Sequence, residues 1–109
     1  MGPMTETGLA WAAGLFEGEG CISTYSNGQS KKAYWQLELR MTDADVVERF
    51  SQVVGVGTVY GPYTHSRHPG SKPFWQWNLR KRDEVCVVLR QMLPYLGERR
   101  STRAREAIA

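Results

Sequence analysis

The chain has 109 residues, 41% hydrophobic and 23% charged, which is the profile of one globular domain and excludes a disordered, fibrous or membrane-spanning protein. A net charge of +3 and a pI near 9.1 exclude an acidic protein, and ten of the fourteen basic residues are arginine, the side chain that meets phosphate and guanine bidentately. The two cysteines, Cys21 and Cys86, lie in apolar runs and read as reduced, buried thiols, no run approaches the ~20 apolar residues of a membrane span, and no targeting signal is visible, so a cytoplasmic or nucleoid-associated protein is expected.

The opening "MGPM" reads as a cloning remnant, leaving a single domain over 5–109. Leu9 to Gly18 carries Ala, Leu, Trp and Phe with no charge before Glu17, the pattern of a helix buried on most sides. Ala10, Gly14 and Gly18 recur every four residues along one stripe. Glycine inside a helix costs ~1 kcal/mol against alanine, and close approach of a second helix is the gain expected to offset it. A domain of this length also gains stability from a partner, so a dimer is expected.

Next, "CISTYS" is strand-like, "NGQS" is a turn signal, and "AYWQLELRM" alternates strictly. Trp35, Leu37, Leu39 and Met41 fall on one face, and Tyr34, Gln36, Glu38 and Arg40 on the other. "TDADVVERFSQVV" is an amphipathic helix with Thr42 or Asp43 as N-cap and Gly55 as terminator. A second hairpin follows, "GTVYGPY" and "PFWQWNLR", in which Trp75, Trp77 and Leu79 alternate with Phe74, Gln76, Asn78 and Arg80. "RDEVCVVLRQMLPYL" is a further helix stopped near Pro94, and a short basic helix starts near Ser101. Such an order gives an α+β fold, an antiparallel sheet covered by helices on one face and polar on the other.

One stretch resists this purely structural reading. "AAGLFEGEG", Ala12 to Gly20, sets Glu17 and Glu19 at a helix C-terminus, where each loses ~0.3–1 kcal/mol to the dipole. Acids beside glycine turns also serve to solubilise a helix end. A bound cation would reverse the sign, and magnesium accepts a few carboxylate oxygens together with water and phosphate.

This nine-residue stretch resembles the LAGLIDADG motif of homing endonucleases and their relatives, with Ala12 for the leading leucine and glutamate at both acid positions. The order of elements is similar to the family's αββαββα unit, and "VGVGTVY" also resembles family members. The resemblance implies a homodimer, because only one motif is present, with the motif helices packed through Ala10, Gly14, Glu17 and Gly18. It implies that Glu19 is the metal-binding acid, that Glu17 is the more structural one, and that Gly18 contributes at most a carbonyl. It further implies Mg2+-dependent double-strand DNA cleavage at a long pseudo-palindromic site, with 3′ overhangs, and Ca2+ supporting binding without cleavage. Arg80 or Lys81, near the end of the fourth strand, would support the attacking water. A non-cleaving DNA-binding regulator or an intron-RNA maturase of the same fold is the alternative.

With that resemblance the open sheet face acquires a partner. The major groove admits a two-stranded ribbon, and alternation would turn Ser23, Tyr25, Asn27, Tyr34, Gln36, Glu38 and Arg40 toward DNA from the first hairpin, and Thr58, Tyr60, Gln76 and Asn78 from the second. Lys31, Lys32, His65, Arg67, His68 and Lys72 fall in hairpin loops and read as phosphate contacts. No neighbouring acid or cysteine completes a zinc site around His65 and His68. Arg99, Arg100, Arg103 and Arg105 read either as a phosphate-contacting tail or as a solvated helix face. The tryptophans sit on apolar sides and are expected in the core.

Overall fold

The structure, a computed structural model, describes residues 4–26, 28, 32–65, 67 and 70–109. Its elements are α1 (Glu6–Glu19), β1 (Gly20–Tyr25), β2 (Tyr34–Met41), α2 (Ala44–Val54), β3 (Thr58–Tyr63), β4 (Phe74–Leu79), α3 (Arg82–Met92), a single 3-10 turn (Leu93–Tyr95) and α4 (Glu98–Ile108). The four strands form one antiparallel sheet in the order β1-β2-β4-β3, so each hairpin occupies one half and the two inner strands join them.

Local chemistry accounts for the ends of these elements. Helix α1 begins before the expected Leu9 because the Thr5 hydroxyl accepts the Gly8 N–H at 3.0 Å and acts as N-cap. Helix α2 ends as expected at Gly55, whose left-handed backbone (φ 82°) suits glycine, and Asp43 takes the N-cap position without a side-chain bond. Pro94, which has no N–H to donate, falls within the 3-10 turn that follows α3. Helix α4 starts at Glu98, earlier than the expected Ser101, with Gly97 as N-cap.

The covered face of the sheet contributes Ile22, Leu37, Leu39, Trp77 and Leu79, and the helices contribute Ala12, Ala13, Phe16, Val47, Phe50, Val85, Leu89 and Met92. Phe50 stands edge-on to Trp77, with centroids 4.9 Å apart, and lies nearly parallel to Phe16 at 6.3 Å. The Trp77 indole donates to the Val56 carbonyl at 2.9 Å, so its one polar group is satisfied. Trp11, Trp35 and Trp75 pack half-buried against this core, as expected. Met4, set aside with the first four residues in the sequence reading, also packs on it.

Three expectations are corrected. Cys86 is buried but Cys21 is exposed, since it pairs with Glu38 across β1 and β2 and therefore shares the open face; both thiols are free. Helix α1 is not buried on most sides: Ala12, Ala13 and Phe16 are covered, whereas Ala10, Gly14 and Gly18 are exposed. Within the chain the close helix approach falls instead at Gly8, where an added Cβ would stand 3.2 Å from Val53 of α2. Finally, the arginines of α4 are neither a free tail nor a wholly solvated face, because Arg100 is largely buried against Glu17 and the half-exposed Arg103, which also pairs with Glu106, reaches the Ile22 carbonyl.

Candidate nucleic-acid interface and acid site

Strand register decides which side chains share the open face. Ser23 lies opposite Gln36, Tyr25 opposite Tyr34, Glu38 opposite Asn78, and Arg40 opposite Gln76, while Thr58 and Tyr60 of β3 lie opposite Asn78 and Gln76. Every described strand residue expected to face DNA therefore belongs to one surface, continuous across four strands. Asn27 lies outside the described residues, as do Lys31 and His68.

Several of these groups already hold one another. Gln36, only 8% exposed, donates to Ser23 Oγ at 3.2 Å and accepts from Arg80 Nε at 3.0 Å, so both ends of its amide are engaged within the chain. Gln76 donates to Asn78 Oδ1 at 2.5 Å, and Arg40 lies 3.5 Å from Glu38 in an exposed ion pair. A base edge reaching this face would have to exchange for these bonds. The Arg80 guanidinium also lies 4.6 Å from the Tyr25 ring centroid, a second restraint that makes it a directed cation at the end of the sheet.

The rim supplies further positive charge. Arg67 and Lys72 are exposed in the β3–β4 loop, as is His65, whose ring stacks on Phe74 at 4.8 Å. Lys32 lies 5.7 Å from the Tyr34 ring centroid at the opposite end of the strands. Between them a shallow hollow of about 470 Å³ runs along β3 and β4, lined by Thr58, Tyr60, Gln76, Asn78, Arg80 and Lys81 among others.

The two acids of the motif have separate surroundings. The Glu17 carboxylate accepts the backbone N–H of Gly97 and lies 3.4 Å from Arg100, and Arg100 Nε donates to the Glu17 carbonyl at 2.7 Å. Its charge at the helix end is thereby compensated inside the chain. Glu19 is exposed, next to the exposed Gly18. Gly20 follows in extended backbone with its Cα against the Phe16 ring, and a side chain there would collide with that ring.

Among the described residues no contact joins Arg80 or Lys81 to Glu19. Gly20 pairs with Leu39 and Leu79 with Leu37, so the two backbones stand two strands apart and two residues along β2, about 12 Å by strand geometry. Among the described residues no three His, Cys, Asp or Glu side chains gather as a metal site. One chain thus offers one free carboxylate and neighbouring carbonyls, hard oxygen donors that suit Mg2+ or Ca2+ but complete a shell only with oxygens from elsewhere.

What the sequence reading of the basic run does not contain is the contact of Arg100 with Glu17. A signal for it exists: Ser101, Ala104 and Ala107 bury one face of α4, and Arg100 stands four residues from Ala104 and Arg103 four from Ala107, along the border of that face.

No protein-family model matches the sequence, and no curated protein matches it. Solved structures do. The homing endonuclease I-CvuI, in complex with a DNA target, superposes with a TM-score of 0.75 at 17% identity, over 94% of this chain and 64% of that one. The group I intron-encoded I-CeuI, complexed with DNA, gives 0.69 at 17% identity over 98% and 55%, and the archaeal I-Vdi141I, also complexed with DNA, gives 0.70 at 14% over 93% and 66%. LAGLIDADG meganucleases bound to uncleaved DNA are similar as well, I-CpaMI with a TM-score of 0.67 at 16% identity over 95% of this chain and 36% of that one. The chain therefore has the fold of the LAGLIDADG homing endonucleases, and it spans 55–64% of the length of I-CeuI and I-CvuI.

Proposed function

We propose that this chain, folded like the LAGLIDADG homing endonucleases, is one subunit of a homodimeric, divalent-metal-dependent endonuclease that cuts both strands of a long, nearly palindromic DNA site and leaves 3′ overhangs. The observation that carries the reading is the state of Glu19: an exposed carboxylate at the foot of α1, on a helix whose Ala10, Gly14 and Gly18 side is left open. A second α1 laid along that side would bring two such carboxylates together, and the basic, polar sheet faces would extend to either side of them. An isologous pair reads two related half-sites, so symmetry of the target follows from symmetry of the protein.

Mg2+ bound there would polarise the scissile phosphate and acidify a water. The residues of the chain do the rest. Glu19 holds a hard cation through carboxylate oxygen, with Gly18 offering a backbone carbonyl. Arg80, oriented by Gln36 and Tyr25, presents positive charge to phosphate or to the attacking water, and Lys81 adds to it from the start of α3. Arg67, Lys72 and Lys32 meet phosphates along the flanks, which fixes register without reading sequence. The complexes of I-CvuI, one in the presence of Mg and one of Ca, support divalent cations as the relevant ligands.

The test selects duplexes from a randomised library in Ca2+, then exchanges Ca2+ for Mg2+ and maps cut strands for the wild type and Glu19→Gln. One symmetric sequence, cut by the wild type and only bound by the variant, is the expected result. A selected sequence that neither protein cuts would replace the nuclease by a DNA-binding regulator. Recovery of no sequence would move the function to RNA or to a scaffold. Affinity for the selected duplex should fall steeply with salt, in proportion to the phosphates neutralised.

A further inference from the structure

Helix α4 reaches the α1–β1 junction through two arginines one turn apart. Arg100, whose side chain is 14% exposed, donates from Nε to the Glu17 carbonyl at 2.7 Å and stands 3.4 Å from Glu17 Oε2. The N-cap residue of the same helix, Gly97, donates its N–H to Glu17 Oε1. Arg103 donates from Nε to the Ile22 carbonyl at 3.3 Å, and its guanidinium lies 4.5 Å from the Trp35 ring centroid. Glu17 and Ile22 bracket Glu19, so the segment that carries the free acid is gripped on its helical side by one arginine and on its strand side by the other.

A surface helix needs no such arrangement merely to stay attached. The apolar contacts of Ala104 and Ala107 already dock α4. The Glu17 carbonyl belongs to the last turn of α1, where carbonyls lack intrahelical partners, and a guanidinium there both satisfies it and offsets the dipole that two acids would worsen. Both contacts are made from Nε, which is fixed in the rigid plane of the guanidinium, and a lysine ammonium on a flexible stem has no group held in that way.

We propose that Arg100 and Arg103 are positioning residues that fix the α1–β1 turn so that the Glu19 carboxylate is presented to a divalent cation. This rests on the nuclease reading above. Neither arginine is placed as a ligand of the cation, and both sit at the outer edge of β1 beside Cys21 and Ile22, apart from the strand side chains of the open face, so the consequence is specific: their loss weakens metal binding while leaving duplex binding in the absence of metal intact.

The experiment uses the full chain and the selected duplex, with Mn2+ as the probe. Mn2+ uptake by the protein–duplex complex is followed by electron paramagnetic resonance for the wild type, Arg100→Ala, Arg100→Lys and Arg103→Gln. Duplex affinity in EDTA is measured by anisotropy, and hydrogen exchange is read at the amides of Gly18 to Ile22. Loss of a residue that orients a ligand typically costs 10–100-fold in metal affinity, so Arg100→Ala should need at least about tenfold more Mn2+ for half-saturation while its EDTA affinity stays within about twofold. Exchange should rise in the turn and not in the sheet. Arg100→Lys should recover thermal stability but not the Mn2+ midpoint.

An unchanged midpoint with unchanged exchange in the turn, alongside a lower melting temperature, would overturn the proposal and leave the arginines as simple docking contacts. Should Arg100→Ala not fold, Arg103→Gln removes one grip and decides the same question. A wild type that takes up no Mn2+ on the duplex overturns the nuclease reading and with it the metal role, whereas a wild type that binds Mn2+ beside an unaffected Arg100→Ala overturns the positioning role alone.

Discussion

The two sides of α1 are lined with equally small or apolar residues and end in opposite environments. Ala12, Ala13 and Phe16 are covered by the chain's own core, while Ala10, Gly14 and Gly18 are exposed, and a Cβ added at Gly14 or Gly18 would meet nothing beyond its own helix turn within 4 Å. The same split divides the acids: Glu17 is spent on Gly97 and Arg100, and Glu19 is left exposed. One side of the helix therefore carries the stability of the chain. The other is left exposed.

The strongest way to test that division is to attack the covered side. Phe16→Ala removes a fully buried ring in contact with Phe50 and Gly20, and should cost about 3–5 kcal/mol in urea unfolding. Glu17→Ala comes next. It leaves Arg100 largely buried without its carboxylate and strips an acceptor from Gly97, so a loss of about 1–3 kcal/mol is expected by the same measurement.

Smaller effects sharpen the contrast. Thr5→Ala removes the N-cap of α1 and should cost about 1 kcal/mol in thermal melts converted to free energy. Gly14→Ala should raise stability by up to about 1 kcal/mol in dilute, monomeric protein, because helix propensity improves and no clash arises. In the proposed dimer the same methyl group meets the partner helix, so sedimentation at high concentration should show weaker association for Gly14→Ala than for the wild type; equal association would count against a contact through this side. Glu19→Gln should change stability least, by less than about 0.5 kcal/mol, since an exposed side chain with no structural partner is being altered.

Much of the fold was legible because its signals are local. Strict alternation in "YWQLELRM" and "FWQWNL" assigned faces that the register reproduces residue by residue, since a period of two cannot be satisfied by another element. Gly55 ended α2 where expected because few residues adopt its left-handed backbone. Where the reading fails, the reason is equally physical. Cys21 was read as buried from hydrophobicity alone, although parity in β1 already puts it with Ser23 and Tyr25. Gln36 faces the open side as the same parity requires, but that Ser23 and Arg80 engage its amide depends on contacts between residues 13 and 44 positions apart, which alternation does not contain.

By itself, the sequence determined the order of elements, the two faces of the sheet and the presence of two acids at a helix end, because periodicity, capping and turn chemistry act over a few residues. The motif resemblance implied different roles for the two acids, and only the tertiary structure supplied a physical difference between them. Glu17 and Glu19 are two residues apart at the same helix end. What separates them is Arg100, 83 positions away from Glu17, whose guanidinium meets one helix end and leaves the other acid exposed; a contact of that range is set by how α4 packs against α1 and β1, which no short window of sequence contains.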